Sequence, residues 1–190
     1  FAMSVMPSFQ NMTTFRTNNT GENLSSSSTD FFASRRETGL SQYIGVVLPG
    51  VPSLSDKRTL FNRSFLISTN NLWKLKNGEL KANIDYSSNR VTAQATNITT
   101  YFLEGGNRVV IEQRDGSENT HSLSGKFIYE LNQKNAFINN TLQANIDWND
   151  VSLRTDGTLP NRQRVELPDY YITNKFKVIK RFNGKHLVTF

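Results

Sequence analysis

Along most of the chain, apolar and polar residues take turns. In LKANIDYS, residues 80–87, Leu80, Ala82, Ile84 and Tyr86 alternate with Lys81, Asn83, Asp85 and Ser87. Nearly the same phrase returns in LQANIDWN, residues 142–149. There Leu142, Ala144, Ile146 and Trp148 alternate with Gln143, Asn145, Asp147 and Asn149. An amphipathic helix repeats its apolar positions at i, i+3 and i+4, whereas a period of two gives a β-strand one oily face and one wet face. The two copies lie too far apart to be the arms of one tight hairpin. They fit strands running the same way with an opposite strand between them.

The same period recurs elsewhere. Thr59–Leu75 places Phe61, Phe65, Ile67, Trp73 and Leu75 on one side, and Leu80–Thr92 follows it. Ser122–Leu131 does the same with Leu123, Gly125, Phe127, Tyr129 and Leu131, and Ala136–Val151 carries the second octapeptide. In Asp169–Phe182, Tyr170, Ile172, Phe176 and Val178 oppose Thr173, Lys175, Lys177 and Arg181, and His186–Phe190 starts another strand. Phe1–Thr17 reads as a strand that Pro7 interrupts or bulges. Asn18–Thr29 reads as a Ser/Asn-rich loop and Gln42–Leu48 as a short strand, ended by Pro49, Gly50 and Pro52.

The breaks are of two kinds. Asn77-Gly78 and Asn183-Gly184 are hairpin signals, because both residue types tolerate positive φ, and Asn132–Asn135 is a polar break of similar length. On the opposite rim, Asn97–His121 and Arg154–Pro168 read as long polar loops, the first with a small hairpin at Glu104–Asn107. Tight turns at one rim and long loops at the other match an outer-membrane barrel, with short periplasmic and long extracellular connections. The alternating runs exceed the roughly five or six residues usual in soluble strands and would span a bilayer, which needs about 9–11. Trp73, Tyr170 and Phe182 fall near expected strand ends, as interfacial aromatic girdles require. The expected fold class is therefore all-β, an antiparallel meander forming part of a transmembrane β-barrel. A small closed barrel of about eight strands is one version; an arc of a larger barrel is the other. The second fits a chain that opens on Phe1 with no signal segment and stops at Phe190 soon after a tight turn. Residues 1–190 then form one partial-barrel segment. A secreted β-sandwich that binds glycans or host surfaces uses the same alternation, with the oily face against a second sheet.

Composition narrows the chemistry. There is no cysteine, so disulfides and thiolate metal sites are absent. His121 and His186 stand apart with no metal-binding spacing, and no nucleophile motif occurs, so neither metal, cofactor nor catalysis is expected. Gly105-Gly106 lacks the lysine of a phosphate loop and reads as a turn. The net charge of +6 is scattered rather than gathered into a stripe, which does not fit a nucleic-acid partner. The wet-face residues Asn83, Asp85, Gln143, Asn145, Asp147, Lys175 and Lys177 are expected to line a lumen and meet solute or plug. Tyr101, Phe102, Arg108, Arg114 and Arg154 are expected in extracellular loops, in reach of a ligand. Leu80, Ile84, Tyr86, Leu142, Ile146, Trp148 and Phe176 are expected to face lipid.

RTLFNRSFLISTNNLWKLKNGELKANIDY, residues 58–86, resembles the barrel of Bacteroidetes TonB-dependent outer-membrane receptors, of the type with a carboxypeptidase-regulatory-like N-terminal domain. TTYFLEGGNRVVIEQ and TNKFKVIKRFNGKHLVTF continue the likeness. It is a likeness of strand-and-turn phrasing, with no ligand residues to carry over. It implies a barrel of about 22 strands, of which this chain is one part, in the outer membrane of a Gram-negative cell. It also implies partners: outer-membrane lipid, the rest of the barrel and its plug, the TonB motor, and a surface lipoprotein. The plug and TonB box lie outside these residues. A third reading keeps the barrel but gives it an assembly or scaffold role.

Overall fold

The computed structural model describes residues 1–21, 24, 48–49, 61–182 and 186–189. The expected short strand at Gln42–Leu48 except for Leu48, most of the loop at Asn18–Thr29 and the turn at Asn183-Gly184 lie outside them. Eight strands form one antiparallel sheet in chain order: β1 (Ala2–Val5), β2 (Phe9–Asn18), β3 (Phe61–Leu75), β4 (Gly78–Leu103), β5 (Gly106–Gln133), β6 (Ala136–Asp156), β7 (Asn161–Phe182) and β8 (His186–Thr189). Each strand pairs with its sequence neighbours, so the sheet is a meander. Among the described residues β1 pairs only with β2 and β8 only with β7, which leaves the sheet open.

Of the readings for Phe1–Thr17, the interruption at Pro7 holds: it divides the segment into β1 and β2. Pro7 sits in the turn between β1 and β2, where its missing N–H interrupts no ladder bond, and Met6 N donates to Phe9 O across it at 2.7 Å.

The expected long loops are strand. Asn97–His121 belongs wholly to β4 and β5, whose arms pair from Gly78↔Leu131 to Leu103↔Gly106 around a two-residue turn at Glu104-Gly105. Arg154–Pro168 is mostly β6 and β7, which meet at Thr155↔Asn161 and leave only a short connection. Tyr101 and Phe102 therefore lie in β4, Arg108 and Arg114 in β5, and Arg154 in β6, not in loops. The physical reason is that ladder bonds are made by backbone, so a stretch with polar side chains on both faces still pairs if its partner continues. Tyr170 likewise lies inside β7, opposite Ile146, rather than at a strand end.

The first tight turn is also displaced by one residue. Its tip is Lys76-Asn77, and Gly78 is already the first residue of β4, paired with Leu75 and Leu131. Glycine is needed there for closeness rather than for positive φ. A Cβ on Gly78 would lie 2.2 Å from the carbonyl oxygen of Glu130. Asn132 N, donating to Asn77 O at 3.2 Å, ties the same turn to β5.

Gly78→Val is expected to force the β4–β5 backbones apart and destabilise the protein by about 1–3 kcal/mol. Gly105→Ala, whose added Cβ meets nothing within 4 Å, is expected to leave stability unchanged. Denaturant midpoints of the two variants check both.

Candidate functional site: the polar face of the sheet

The register runs unbroken from β3 to β7, so residues two apart along any strand keep to one face across all five. One face carries Asn70–Asn83–Lys126–Gln143–Thr173, then Ser68–Asp85–Ser124–Asn145–Tyr171, then Leu66–Ser87–Ser122–Asp147–Asp169 as successive cross-strand rows. Asn83, Asp85, Gln143, Asn145 and Asp147 share this face, as do Lys175 and Lys177 nearer the tight turns. The opposite face carries Leu80, Ile84, Tyr86, Leu142, Ile146, Trp148 and Phe176.

Burial is inverted with respect to an ordinary soluble sheet. The polar face is the buried one in the middle of the sheet: Ser68 is 1 % exposed, Asn83 2 %, Asp85 3 % and Asn145 3 %, whereas Thr173, Lys175 and Lys177 on β7 are exposed. The apolar face is open: Ile84 is 40 % exposed, Leu142 40 %, Trp148 43 % and Ile172 73 %.

The buried polar atoms hold one another. Asn83 Nδ2 donates to Asn70 Oδ1 at 2.9 Å and to Asp85 Oδ1 at 3.3 Å, and Gln143 Nε2 donates to the Tyr171 hydroxyl at 3.2 Å. Asn145 Nδ2 donates to Asp147. Further from the tight turns, Asn62 Nδ2 and the Ser64 hydroxyl both donate to Asn89 Oδ1, at 3.3 and 2.9 Å. Asn62 and Ser64 in turn accept from backbone N–H groups of Gly21 and Leu24, at 2.8 and 3.2 Å. The connection after β2 thus rests on the polar face at these two points. It touches the face again where the Leu48 and Pro49 side chains crowd Gly116, at 2.6 and 3.0 Å from where a Cβ would sit. Ser68 Oγ, Ser122 Oγ and Asn145 Oδ1 are buried without a partner on the same face. Atoms in that state need a further hydrogen-bonding layer, from solvent, solute or polypeptide.

The open face has its own order. Aromatic residues sit at two levels. Near the tight turns are Phe9 and Trp73, with ring centroids 5.4 Å apart, and Tyr129 and Phe176 in the same row. Farther along, rings run from Phe15 to Phe65 at 5.1 Å, to Tyr86 at 5.9 Å and to His121 at 6.3 Å, and Trp148 pairs opposite His121. The Tyr86 hydroxyl and His121 Nδ1 are hydrogen-bonded at 3.0 Å. Between the two levels the face is apolar except at Asn174 on β7, in the row of Phe127 and Leu142, and at β2–β3. There Asn11, Thr13, Thr69 and Asn71 bond to one another at 2.6–3.2 Å, among them Asn11 Nδ2 to Asn71 Oδ1 and Thr13 Oγ1 to Asn11 Oδ1.

Beyond the second aromatic level the two faces exchange character. The face that was apolar now carries Arg90–Asn119–Asp150–Glu166, and the face that was polar carries Val91, Ala93, Val151, Leu153 and Val165, with Glu118 and Gln163 among them. Arg164 donates to Asp150 through Nε and Nη2 at 3.2 and 3.1 Å and lies 2.8 Å from Glu166. The Asp150 hydrogen bond, with the charges of Asp150 and Glu166, pushes the Arg164 guanidinium further above its ordinary value. Past this region residues 97–112 form a two-stranded ribbon that no third strand joins among the described residues. Tyr101 and Arg108 pair on it, with Phe102 81 % exposed.

Sequence reasoning found the two faces but missed Asn62, Ser64, Ser68, Asn70, Asn89, Ser122 and Lys126, all buried on the polar face. The signal was there: they keep the parity of Asn83 and Asp85 once the pairing is known. Among the described residues no cluster of His, Cys, Asp and Glu could hold a metal. No family model, curated protein or solved structure matches the chain.

Asn89→Leu removes the acceptor that Asn62 and Ser64 share and is expected to cost about 1–3 kcal/mol. Faster hydrogen exchange at the Gly21 and Leu24 amides in the variant, with exchange at the β4–β5 ribbon unchanged, checks the assignment.

Proposed function

We propose that this sheet is an arc of a transmembrane β-barrel wall in a Gram-negative outer membrane, and that the protein carrying it is a TonB-dependent receptor passing a solute inward. The observation that carries the reading is the exchange of polarity between the two faces. Where the outer face is apolar, the opposite face is polar, and buried on β3 and β4; where the outer face becomes charged, the opposite face becomes mostly apolar. Lipid around the first region and water around the second account for both halves of the pattern.

The dimensions agree. From Leu75 to Phe65 the apolar face runs ten residues. That is about 33 Å along the strand, and about 25 Å in height at a tilt of about 40°, the height of a barrel's lipid-facing band. Aromatic residues mark both edges, as girdles do. The polar cluster Asn11–Thr13–Thr69–Asn71 within the band pairs its own donors and acceptors, which is the condition for polar groups to sit in hydrocarbon. The charged region and the β4–β5 ribbon then project outside the cell, and the tight turns face the periplasm. Asn83, Asp85, Gln143, Asn145, Asp147, Lys175 and Lys177 line the lumen. Solute or plug supplies the partners that Ser68, Ser122 and Asn145 lack. A soluble β-sandwich requires a second sheet over Ile84, Leu142, Ile146 and Ile172.

Nitroxide labels at Ile84, Ile146 and Phe176 test this in intact cells. Access to oxygen with protection from a water-soluble relaxing agent is expected, and the opposite at Ser87 and Asn145. Equal access to the aqueous agent at all five positions overturns the membrane reading.

A further inference from the structure

Arg63 and Arg90 are direct cross-strand partners on β3 and β4. Both side chains are exposed and both lie on the face that carries the apolar band. Cα atoms of such partners are about 4.5–5.5 Å apart, and like charges placed directly opposite destabilise a sheet. Among the described residues nothing on the surrounding face relieves the repulsion. The neighbouring rows hold Phe61, Phe65, Ser88 and Thr92, and the next residue across from Arg90 is Asn119. The carboxylate beyond it, Asp150, is engaged with Arg164 through both oxygens. Among the described residues neither Arg63 nor Arg90 forms an ion pair.

The position of the pair is as informative as its charge. It lies one row beyond Phe65 and His121, where the apolar band ends. A group that accepts from two guanidiniums at this height must be anionic, offer several oxygens, and stand at the boundary between hydrocarbon and water. A phosphate bearing acyl chains meets all three conditions: its oxygens take the paired donors, and its chains lie down the apolar face past Ile67 and Ile84.

Resting on the membrane reading above, we infer that Arg63 and Arg90 form a binding site for the phosphate headgroup of an anionic lipid in the outer leaflet. Arg164, only three strands away, is not a second such site because Asp150 and Glu166 already neutralise it.

The test uses the full native polypeptide in phosphatidylcholine vesicles with and without phosphatidic acid, with retained lipid read by native mass spectrometry. Preferential retention of phosphatidic acid is expected. It should weaken about fivefold for each arginine removed, in Arg63→Gln, Arg90→Gln and the double variant. Arg164→Gln should retain the lipid as the parent does. Inference and membrane reading fail differently. Insertion with unchanged lipid retention in the double variant, or an equal loss in Arg164→Gln, overturns the lipid site alone. Competition by inorganic phosphate at comparable concentration assigns the pair to a free anion and also overturns it. Failure of the protein to enter vesicles of either composition overturns both.

Discussion

Everything distinctive about this sheet depends on an unbroken register. Wherever neighbouring strands from β3 to β7 pair, each residue faces one partner and no extra residue intervenes. Side chains alternate with a period of two, so parity set in one strand is handed to all the others. One inserted residue in β5 would turn Lys126, Ser124 and Ser122 to the side of Ile84 and Leu142, and would put Phe127 and Leu123 beside Asp85. The polar wall and the apolar band are two consequences of one constraint, and neither can be lost alone.

The register also explains how the repeated octapeptide is used. Both copies begin near tight turns and run in the same direction on β4 and β6. Across β5, Ala82 reaches Phe127 and then Leu142, while Ile84 reaches Gly125 and then Ala144. The copies are therefore staggered by two residues, an even step that keeps their faces the same. The second copy starts six residues into β6 and the first two into β4; the Lys134-Asn135 turn reaches two residues farther out, which reduces that difference of four to the stagger of two. It places Trp148 one row beyond Tyr86, with His121 bonded to the first and paired opposite the second. The upper aromatic level slants across the strands as a result, as the edge of a band does when strands cross it obliquely.

The strands and their faces were legible because alternation is a local signal that survives single exceptions. The turns at Lys134-Asn135 and Glu104-Gly105 were legible from composition. The extent of β4–β7 was not. The hairpin arms ITTYFL, residues 98–103, and RVVIEQ, residues 108–113, were legible, but Thr96 and Asn97 look like loop and are strand because Gln113 and Glu112 pair with them. Pro168 looked like a terminator for β7. It lies within β7, opposite Trp148. The paired Arg63 and Arg90 were illegible for a related reason. Only register brings them together, and no local pattern records it.

The ribbon formed by residues 97–112 shares its two strands with the middle of the sheet yet has no neighbours of its own among the described residues. Two-stranded ribbons are marginal in water, and this one exposes Ile98, Phe102, Val109 and Ile111 on a single side. Cooperative unfolding is therefore not expected along the length of β4. One continuous strand should range from amides that open only when the whole sheet does, around Asn83, to amides at Thr100 that open almost freely. Such a strand works as a mast on a fixed base: its foot can be as rigid as the wall while its tip samples the space outside.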